Sequence, residues 1–196
     1  MNMELFRLIN NLANKNIVLD KIMIFFSKDV TYIFMGIVAL VFILGIIKGN
    51  DNYRKASVST VIITVINLIL SFILGSIYYV DRPFVHNKVN LLVPHVKDAS
   101  FPSDHATGTM SIALGLGRYN RLIRIILTLL SLIVGFSRVY VGNHYPLDVI
   151  GAYIMVFVTN YLYNLLLKNR IEEIYMKVEK LLLNKTGFHK NSGEIY

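Results

Sequence analysis

The chain has no cysteine and no tryptophan among its 196 residues. The lack of cysteine excludes disulfide bonds and thiolate metal sites, although it says little about the compartment. Acidic residues are also scarce, since 12 Asp and Glu stand against 20 Lys and Arg, for a formal net charge of +8. Such an excess is typical of proteins that meet a negatively charged partner, either nucleic acid or a membrane surface.

Apolar residues are abundant, at 55% of the chain, above the roughly 45–50% of ordinary soluble domains. The basic residues cluster between and after long apolar runs. No basic stripe is interleaved with exposed aromatic residues, as proteins that bind nucleic acid require. The composition therefore favours the anionic surface of a membrane bilayer as partner and argues against nucleic acid.

Three runs without charge, at residues 30–47, 56–80 and 149–167, are long enough to cross a hydrocarbon core of ~30 Å as helices. Two weaker runs, 106–117 and 125–137, are flanked by charge and together fit a helical hairpin. The sequence therefore predicts an all-α fold, a polytopic membrane helix bundle of about five transmembrane helices. The predicted spans cover residues 30–48, 56–80, 103–118, 121–141 and 146–168.

The predicted single membrane domain comprises residues 1–168, of which 1–28 form an interfacial N-terminal region. Four apolar residues recur there at helical spacing: Leu5, Leu8, Ile9 and Leu12. This pattern predicts an amphipathic interfacial helix. Residues 17–26 carry Asp20 and Lys21, so we expect them in the interface or partway into the bilayer. Charges in the first apolar stretch argue against a cleavable signal peptide. Residues 169–196 are predicted to be a cytoplasmic tail, helical and fraying towards Tyr196.

Lysine and arginine fall on one side of this five-span arrangement. They lie between spans one and two, between spans three and four, and after span five: Lys48, Arg54, Lys55, Arg118, Arg121, Arg124, Lys168, Arg170, Lys177, Lys180 and Lys185. Because basic short loops stay in the cytoplasm, segments 81–104 and 142–145 are expected outside. Every motif with catalytic potential lies in or beside those two segments.

Span two carries a stripe of small and polar residues: Thr60, Thr64, Asn67, Ser71 and Gly75. Membrane helices bury such faces against neighbouring helices, because small side chains allow close approach and polar ones find partners there. Helix packing is sufficient to explain this stripe.

The most informative segment joins spans four and five. His144 and Asp148 are four residues apart, and Pro146 between them suits the first turn of a helix. The carboxylate is therefore expected to accept a proton from one imidazole nitrogen, which leaves the other nitrogen free to attack. Arg138 lies six residues earlier and offers a planar fork for phosphate oxygens.

A second segment opens span three. Pro102 and Ser103 precede the expected helix start, where Ser103 suits the N-cap and free backbone N–H groups bind anions. His105 lies in the first turn, and Arg82 supplies a second guanidinium from span two. Two arginines, a helix N-terminus and two histidines on one membrane face are the set that phosphoryl transfer needs.

Other interpretations exist for each of these residues taken singly. An arginine at a membrane interface is usually an anchor, and a single histidine is more often structural than catalytic. The two histidines with Asp148 are also a possible metal-ligand set. Two nearby arginines would repel a cation, so we expect a site without metal or other cofactor.

Together the segments resemble the type-2 phosphatidic acid phosphatase superfamily. Its third motif is Ser-Arg, five residues, His, three residues, Asp, and it is met in full by Ser137, Arg138, His144 and Asp148. Its Pro-Ser-Gly-His motif appears as Pro-Ser-Asp-His at residues 102–105. Its first motif, Lys, six residues, Arg-Pro, is reduced to Arg82-Pro83, and the lysine position falls on Gly75.

The resemblance implies a role for each matching residue. His144 would become phosphorylated, with Asp148 to orient it. His105 would protonate the leaving group and then activate water. The phosphoryl oxygens would be held by Arg82, Arg138 and Ser103. No metal is implied.

The departures from the family pattern affect phosphate binding. A lysine at Gly75 would be expected to reach the same site, so one phosphate clamp is missing, and Lys97 is a candidate substitute. Asp104 adds negative charge beside an anion site. It is expected either to favour the helix N-terminus while pointing away or to pair with a neighbouring arginine.

These departures, with segments 93–105 and 135–146, look like the bacitracin-resistance branch of the family, whose members are bacterial undecaprenyl pyrophosphate phosphatases. The resemblance implies a polyprenyl pyrophosphate lipid as substrate and a bacterial plasma membrane location, with the active site facing outside. Two alternatives stay open. One is another lipid phosphate, phosphatidic acid or phosphatidylglycerol phosphate. The other is a transporter or lipid-binding protein that holds the anion without cleaving it.

Overall fold

Nine helices make up the regular structure of residues 2–185, the part of the chain that the computed structural model describes. They are α1 (Asn2–Asn10), α2 (Ile17–Lys28), α3 (Val30–Ile47), α4 (Asp51–Ile77), α5 (Pro83–His86), α6 (Asp104–Leu116), α7 (Arg121–Tyr140), α8 (Pro146–Leu166) and α9 (Lys168–Lys185). Within this part, the only strand-like pairing is one isolated bridge between Asp81 and Ala99. The predicted all-α fold is confirmed.

The sequence marks where several helices begin. The side chains of Asn16, Asn50 and Asn120 accept hydrogen bonds from backbone N–H groups in the first turns of α2, α4 and α7. These caps satisfy donors that have no partner within the helix. Pro83 and Pro146 begin α5 and α8, where the missing N–H costs nothing. The predicted helix start at Pro146 is confirmed.

Four helices in the described part are long and apolar enough to cross a membrane, namely α3, α4, α7 and α8. The remaining predicted span corresponds to α6, whose 13 residues extend ~20 Å at 1.5 Å per residue. Helix α4 begins at Asp51 instead of the predicted residue 56, because Asn50 caps it and Arg54 pairs with Asp51 at 2.7 Å. It ends at Ile77 instead of residue 80.

Short α6 lies at the centre of the bundle. It contacts α3, α4, α7 and α8, and every residue from 106 to 113 is buried. Alanine, glycine, serine and threonine dominate its sequence, so neighbouring backbones can approach it closely. The start of α6 at residue 104 is therefore held in place from several sides.

The polar stripe of α4 faces this central helix. The Asn67 amide donates to Ser111 Oγ in α6 at 2.8 Å, and its oxygen accepts from Thr159 Oγ1 in α8 at 2.5 Å. Thr60, Ser71 and Gly75 are also buried. The packing role predicted for the stripe is confirmed.

The N-terminal region contains two helices that pack on the bundle, α1 against α7 and α8, and α2 against α7. The Asn10 side chain donates to the carbonyls of Asn90 and Tyr140, each at 2.8 Å. The Tyr140 hydroxyl donates to Asp20 at 2.7 Å. Asp20 thus has a partner inside the protein, and α2 is a structural part of the bundle.

At the opposite end of the bundle, α9 packs against α4 and α8. Glu179 pairs with Arg54 at 2.8 Å, and the Tyr119 hydroxyl donates to Glu172 at 2.5 Å. The predicted tail is therefore a docked helix as far as residue 185. Its remainder, residues 186–196, lies outside the described residues.

Two glycines of α6 give a matched test of this packing. A Cβ at Gly115 would lie 2.6 Å from Thr60 Oγ1 and 2.7 Å from Thr60 Cγ2. We expect Gly115→Ala to lower the unfolding temperature in detergent, since overpacking costs about 1–3 kcal/mol and improved helix propensity returns at most about 1 kcal/mol. Gly108→Ala meets no atom within 4 Å and should be at least as stable as wild type. A Gly115→Ala protein with wild-type stability would contradict this packing.

Candidate active site

A tight turn between α7 and α8 carries His144. Gly142 adopts φ +91°, a conformation that favours glycine, and a Cβ there would lie 2.8 Å from the Asn90 carbonyl oxygen. The backbone N–H groups of Asn143 and His144 both donate to the Arg138 carbonyl, at 3.0 and 3.3 Å. The turn therefore fixes His144 in a buried position.

Two contacts define the tautomer of His144. Its Nδ1 lies 2.8 Å from the Ser100 carbonyl oxygen, which can only accept, so Nδ1 carries the proton. Its Nε2 lies 3.0 Å from Arg82 Nη1, which can only donate, so Nε2 presents a lone pair. The atom available to attack is therefore Nε2.

Asp148 does not make the direct hydrogen bond to His144 that the four-residue spacing predicts. Its Oδ2 lies 3.7 Å from His144 Nδ1, beyond hydrogen-bond range. The same oxygen accepts from Ser100 Oγ at 2.5 Å and from the Tyr145 N–H at 2.8 Å. The physical reason is that α8 begins at Pro146, so His144 lies outside the helix and the one-face rule for residues four apart does not apply.

Ser100 is a site residue that sequence reasoning missed. It contacts His144 through its carbonyl and Asp148 through its hydroxyl. No catalytic motif covers position 100. Every residue type has a main-chain carbonyl, so the identity of the residue does not predict a contact through that group. The only signal was its place in the run 93–105, which resembles the bacitracin-resistance branch.

Arg82 lies at the centre of the site and is 4% exposed. Its Nε donates to Asp98 at 2.6 Å, and its Nη1 donates to the Asn143 carbonyl at 3.0 Å as well as to His144. Burial works against ionisation of Asp98, but the hydrogen bond and charge of Arg82 outweigh it and lower the pKa of that carboxyl below its usual value. Asp98 is a second residue that sequence reasoning missed.

Two buried polar atoms of the site have no hydrogen-bond partner within the described part of the chain. They are Arg138 Nε and Ser103 Oγ. Arg138 uses its Nη1 on Ser27 Oγ at 2.7 Å. Ser103 occupies the predicted N-cap position of α6, but its hydroxyl makes no capping bond. An unpartnered buried polar group costs about 1–3 kcal/mol, and phosphate oxygens would satisfy both atoms.

His105 lies in the first turn of α6, partly exposed and within electrostatic range of Arg138 and His144.

Asp104 accepts from Ser71 Oγ at 2.7 Å, so its carboxylate is directed to α4. It forms no ion pair with an arginine among residues 2–185. Lys97 is exposed, and its neighbour Asp98 is the residue that contacts Arg82. The structure therefore does not bring Lys97 into the hydrogen-bonded site.

The space beside Gly75 is filled by another part of the chain, which contradicts the expectation that a lysine at this position would reach the site. A Cβ at this position would lie 2.9 Å from the Phe101 carbonyl oxygen and 3.3 Å from Ala99 Cβ. The segment that carries Ser100 thus lies directly against Gly75. A lysine at position 75 would have to displace that segment before it could contact phosphate.

The electrostatic environment keeps His144 neutral. Burial is the largest effect, and the charges of Arg138 and Arg82 add to it, so the pKa of His144 is well below its ordinary value. The Ser100 carbonyl opposes this shift in part. Neutral imidazole with a free Nε2 lone pair is the form that a nucleophile requires.

An apolar groove with a volume of about 700 Å³ lies between α3, α4 and α6. Asp104 and His105 lie at one end of it, and Ser57 in the second turn of α4 lies towards the other. Its walls include Met35, Val38, Val61, Val65, Leu68 and Ile112. The groove connects the site with the apolar middle of the bundle.

Comparison with known proteins agrees with this geometry. The PAP2 superfamily matches residues 56–171, which include both histidines and both arginines of the site. Undecaprenyl-diphosphatase BcrC of Bacillus subtilis (strain 168) is 36% identical over 83% of this chain and 82% of its own length. The undecaprenyl-diphosphatase of Sulfolobus acidocaldarius is 35% identical, over 79% of this chain and 72% of its own. The Bacitracin transport permease protein BcrC of Bacillus licheniformis is 30% identical over 93% and 91%.

A solved structure supports the fold. The crystal structure of Aquifex aeolicus LpxE superimposes with a TM-score of 0.70 at 27% identity, covering 82% of this chain and 93% of that one. The helices, the motifs and the relatives agree with the resemblance drawn from the sequence. The chain therefore belongs to the PAP2 superfamily, in the bacitracin-resistance branch that its motifs resemble.

Proposed function

We propose that this chain hydrolyses undecaprenyl pyrophosphate to undecaprenyl phosphate and inorganic phosphate through a phosphohistidine at His144. The observation that carries the proposal is the buried, neutral His144, with its proton on Nδ1 and its lone pair on Nε2 beside Arg82. The names of the curated relatives support the choice of lipid. The reaction would recycle the lipid carrier of cell-wall synthesis and confer bacitracin resistance.

In the first step, the Nε2 lone pair of His144 attacks the terminal phosphorus. The bond between that phosphorus and the bridging oxygen breaks, and His105 donates a proton to the leaving oxygen. Arg82 and Arg138 bind the phosphoryl oxygens together with Ser103. Arg82 Nη1 donates to Nε2, so Arg82 transfers this hydrogen bond to phosphate when the lipid binds.

In the second step, water attacks the phosphohistidine. His105 accepts a proton from that water, the P–N bond breaks, and inorganic phosphate leaves. The electron pair of the P–N bond returns to Nε2, while Nδ1 keeps its proton throughout on the Ser100 carbonyl. The cycle ends with neutral His144 and protonated His105, and needs no oxidant, reductant or metal ion.

The groove supports a lipid as substrate. Its apolar walls accept a hydrocarbon chain, and His105 at its end belongs to the proposed phosphate site. Because α6 is too short to cross the whole hydrocarbon core, His105 lies near headgroup depth. The basic loops lie at the opposite end of the bundle, which favours an active site at the outer face of the bacterial plasma membrane.

Two alternatives are distinguished by experiment. Release of phosphate from a panel of purified lipids, including phosphatidic acid and phosphatidylglycerol phosphate, separates the proposed substrate from other lipid phosphates. The name of the B. licheniformis relative raises the other alternative, transport without cleavage. A transporter would bind the anionic lipid but would neither release phosphate nor form a phosphohistidine.

The role of His144 gives the most direct prediction. His144→Ala should lower phosphate release from undecaprenyl pyrophosphate on the order of 10³-fold or more, because no nucleophile remains, and should abolish acid-labile labelling by terminally radiolabelled substrate. His86 is a matched control, since it is exposed and bonds only Asp81 in the described structure. His86→Ala should retain both signals. Undiminished turnover by correctly inserted His144→Ala protein would refute the mechanism.

The depressed pKa of His144 predicts the acidic limb of the pH profile. The neutral ring is the nucleophile, and protonation inactivates it only when the pH falls through its lowered pKa. The limb of kcat/KM that belongs to His144 should therefore lie below about 6.5, the ordinary histidine value. Phosphorus NMR of the lipid alone gives the substrate's own ionisation for comparison. An acidic limb of the enzyme at or above pH 6.5, distinct from the ionisation of the lipid, would contradict a buried neutral nucleophile.

Filling the groove should separate lipid binding from chemistry. Gly108 lines the groove, and a Cβ there meets no atom within 4 Å. We expect Gly108→Leu to raise KM for the long-chain lipid about 10-fold or more, while turnover of a short-chain pyrophosphate changes little. Gly108→Ala, which adds only the Cβ, is the control. Equal losses on both substrates would exclude the groove as the chain-binding surface.

A further inference from the structure

Ser100 is buried in the site, and each of its three polar groups has a partner. Its N–H donates to the Val80 carbonyl at 2.8 Å. Its carbonyl accepts from His144 Nδ1 at 2.8 Å, and its hydroxyl donates to Asp148 at 2.5 Å. It is 0% exposed. A single residue thus joins the segment after α4, the histidine and the carboxylate.

We infer that Ser100 is a positioning residue, through which Asp148 holds His144 in its reactive tautomer. The inference rests on the proposed function of His144 as nucleophile. Asp148 lies 3.7 Å from Nδ1 and makes no hydrogen bond to it. The carboxylate instead fixes the hydroxyl of Ser100, and the carbonyl of the same residue holds the Nδ1 proton.

The surrounding structure keeps this segment in place. The Ser103 N–H donates to the Asp148 carbonyl at 3.2 Å, and Ala99 pairs with Asp81. Glycines in α4 and α8 leave space for this segment between the two helices. A Cβ at Gly75 would lie 2.9 Å from the Phe101 carbonyl oxygen, and one at Gly151 would overlap the Phe101 ring. The close approach of this segment to α4 and α8 is therefore built into their sequences.

The arrangement has a consequence for phosphoryl transfer. When Nε2 bonds to phosphorus, the imidazole ring gains positive charge and its Nδ1 proton becomes a stronger donor. A carbonyl held at 2.8 Å stabilises that charge without having to move. Without the Ser100 hydroxyl, the carbonyl loses its link to Asp148, and the tautomer with its proton on Nε2 becomes accessible. That tautomer has no lone pair facing the substrate.

The kinetic test compares three substitutions. Ser100→Ala should lower kcat about 10–100-fold, the range of a hydrogen bond to a charged group, with KM changed less than about 3-fold because Ser100 does not bind substrate. Ser100→Thr, which keeps the hydroxyl, should recover much of the loss. Ser76→Ala is the control, since Ser76 is exposed and bonds its own helix at Phe72. Wild-type kcat in a folded Ser100→Ala protein would overturn the inference.

A double-mutant cycle tests whether Ser100 acts together with Asp148. If the two residues form one unit, Ser100→Ala should have little further effect in an Asp148→Asn background. Effects that multiply would mean that the residues act independently, and this result would also overturn the inference.

Nitrogen NMR of labelled histidine tests the tautomer without any substrate. In wild type, the His144 signals should report a proton on Nδ1, with the assignment made by their loss in His144→Gln. Ser100→Ala should show a population with the proton on Nε2. An unchanged tautomer would contradict the role of Ser100. This measurement needs no turnover. A wild-type protein without phosphatase activity would refute the proposed function, whereas the NMR result would still show whether Ser100 sets the tautomer of His144.

Discussion

The arrangement of the site depends on the burial of Arg82. A guanidinium that leaves water must have its charge and its donors satisfied, or it destabilises the fold by several kcal/mol. Arg82 meets this requirement through Asp98, the Asn143 carbonyl and His144. These partners belong to the loop before α6 and to the turn before α8. One buried cation therefore fixes three segments that are distant in sequence, and the same contacts set the direction of the His144 lone pair.

A second constraint is the position of α6. Because the small residues of α6 allow close contacts with the neighbouring helices, its first turn cannot shift without disturbing α4 and α7. Ser103 and His105 are therefore held at a fixed depth beside the turn that carries His144. One end of the groove lies at the first turn of α6, where Asp104 and His105 line it. A hydrocarbon chain in the groove and a phosphate at the arginines are thus compatible positions for the two parts of one lipid.

The sequence predicts the helices well because charge-free runs and caps are local signals. It also predicts that His144, Arg138 and Asp148 lie close together, and the structure places them in one turn and its flanking helices. It does not predict how Asp148 acts, because His144 precedes the first residue of α8 and helical spacing fails there. Ser100 lies 48 residues from Asp148 and bonds His144 through its main chain. Asn10 and Asn90 bond each other across 80 residues. Such contacts depend on how the helices pack together, so the spacing of residues along the sequence does not predict them.

The departure at Gly75 is explained by the same assembly. In the family pattern a lysine stands at this position, so the proposed phosphate site has one positive charge fewer than that pattern implies. The glycine lets the Ala99 side chain and the Phe101 backbone lie against α4, and Gly151 in α8 leaves room for the Phe101 ring. Ser100 reaches His144 and Asp148 because both glycines leave this space. The glycine that stands at the family's lysine position therefore also leaves room for the segment whose carbonyl accepts from Nδ1. Glycine at position 75 offers no side chain to a phosphate, but the segment that packs against it carries the carbonyl that holds His144 at Nδ1.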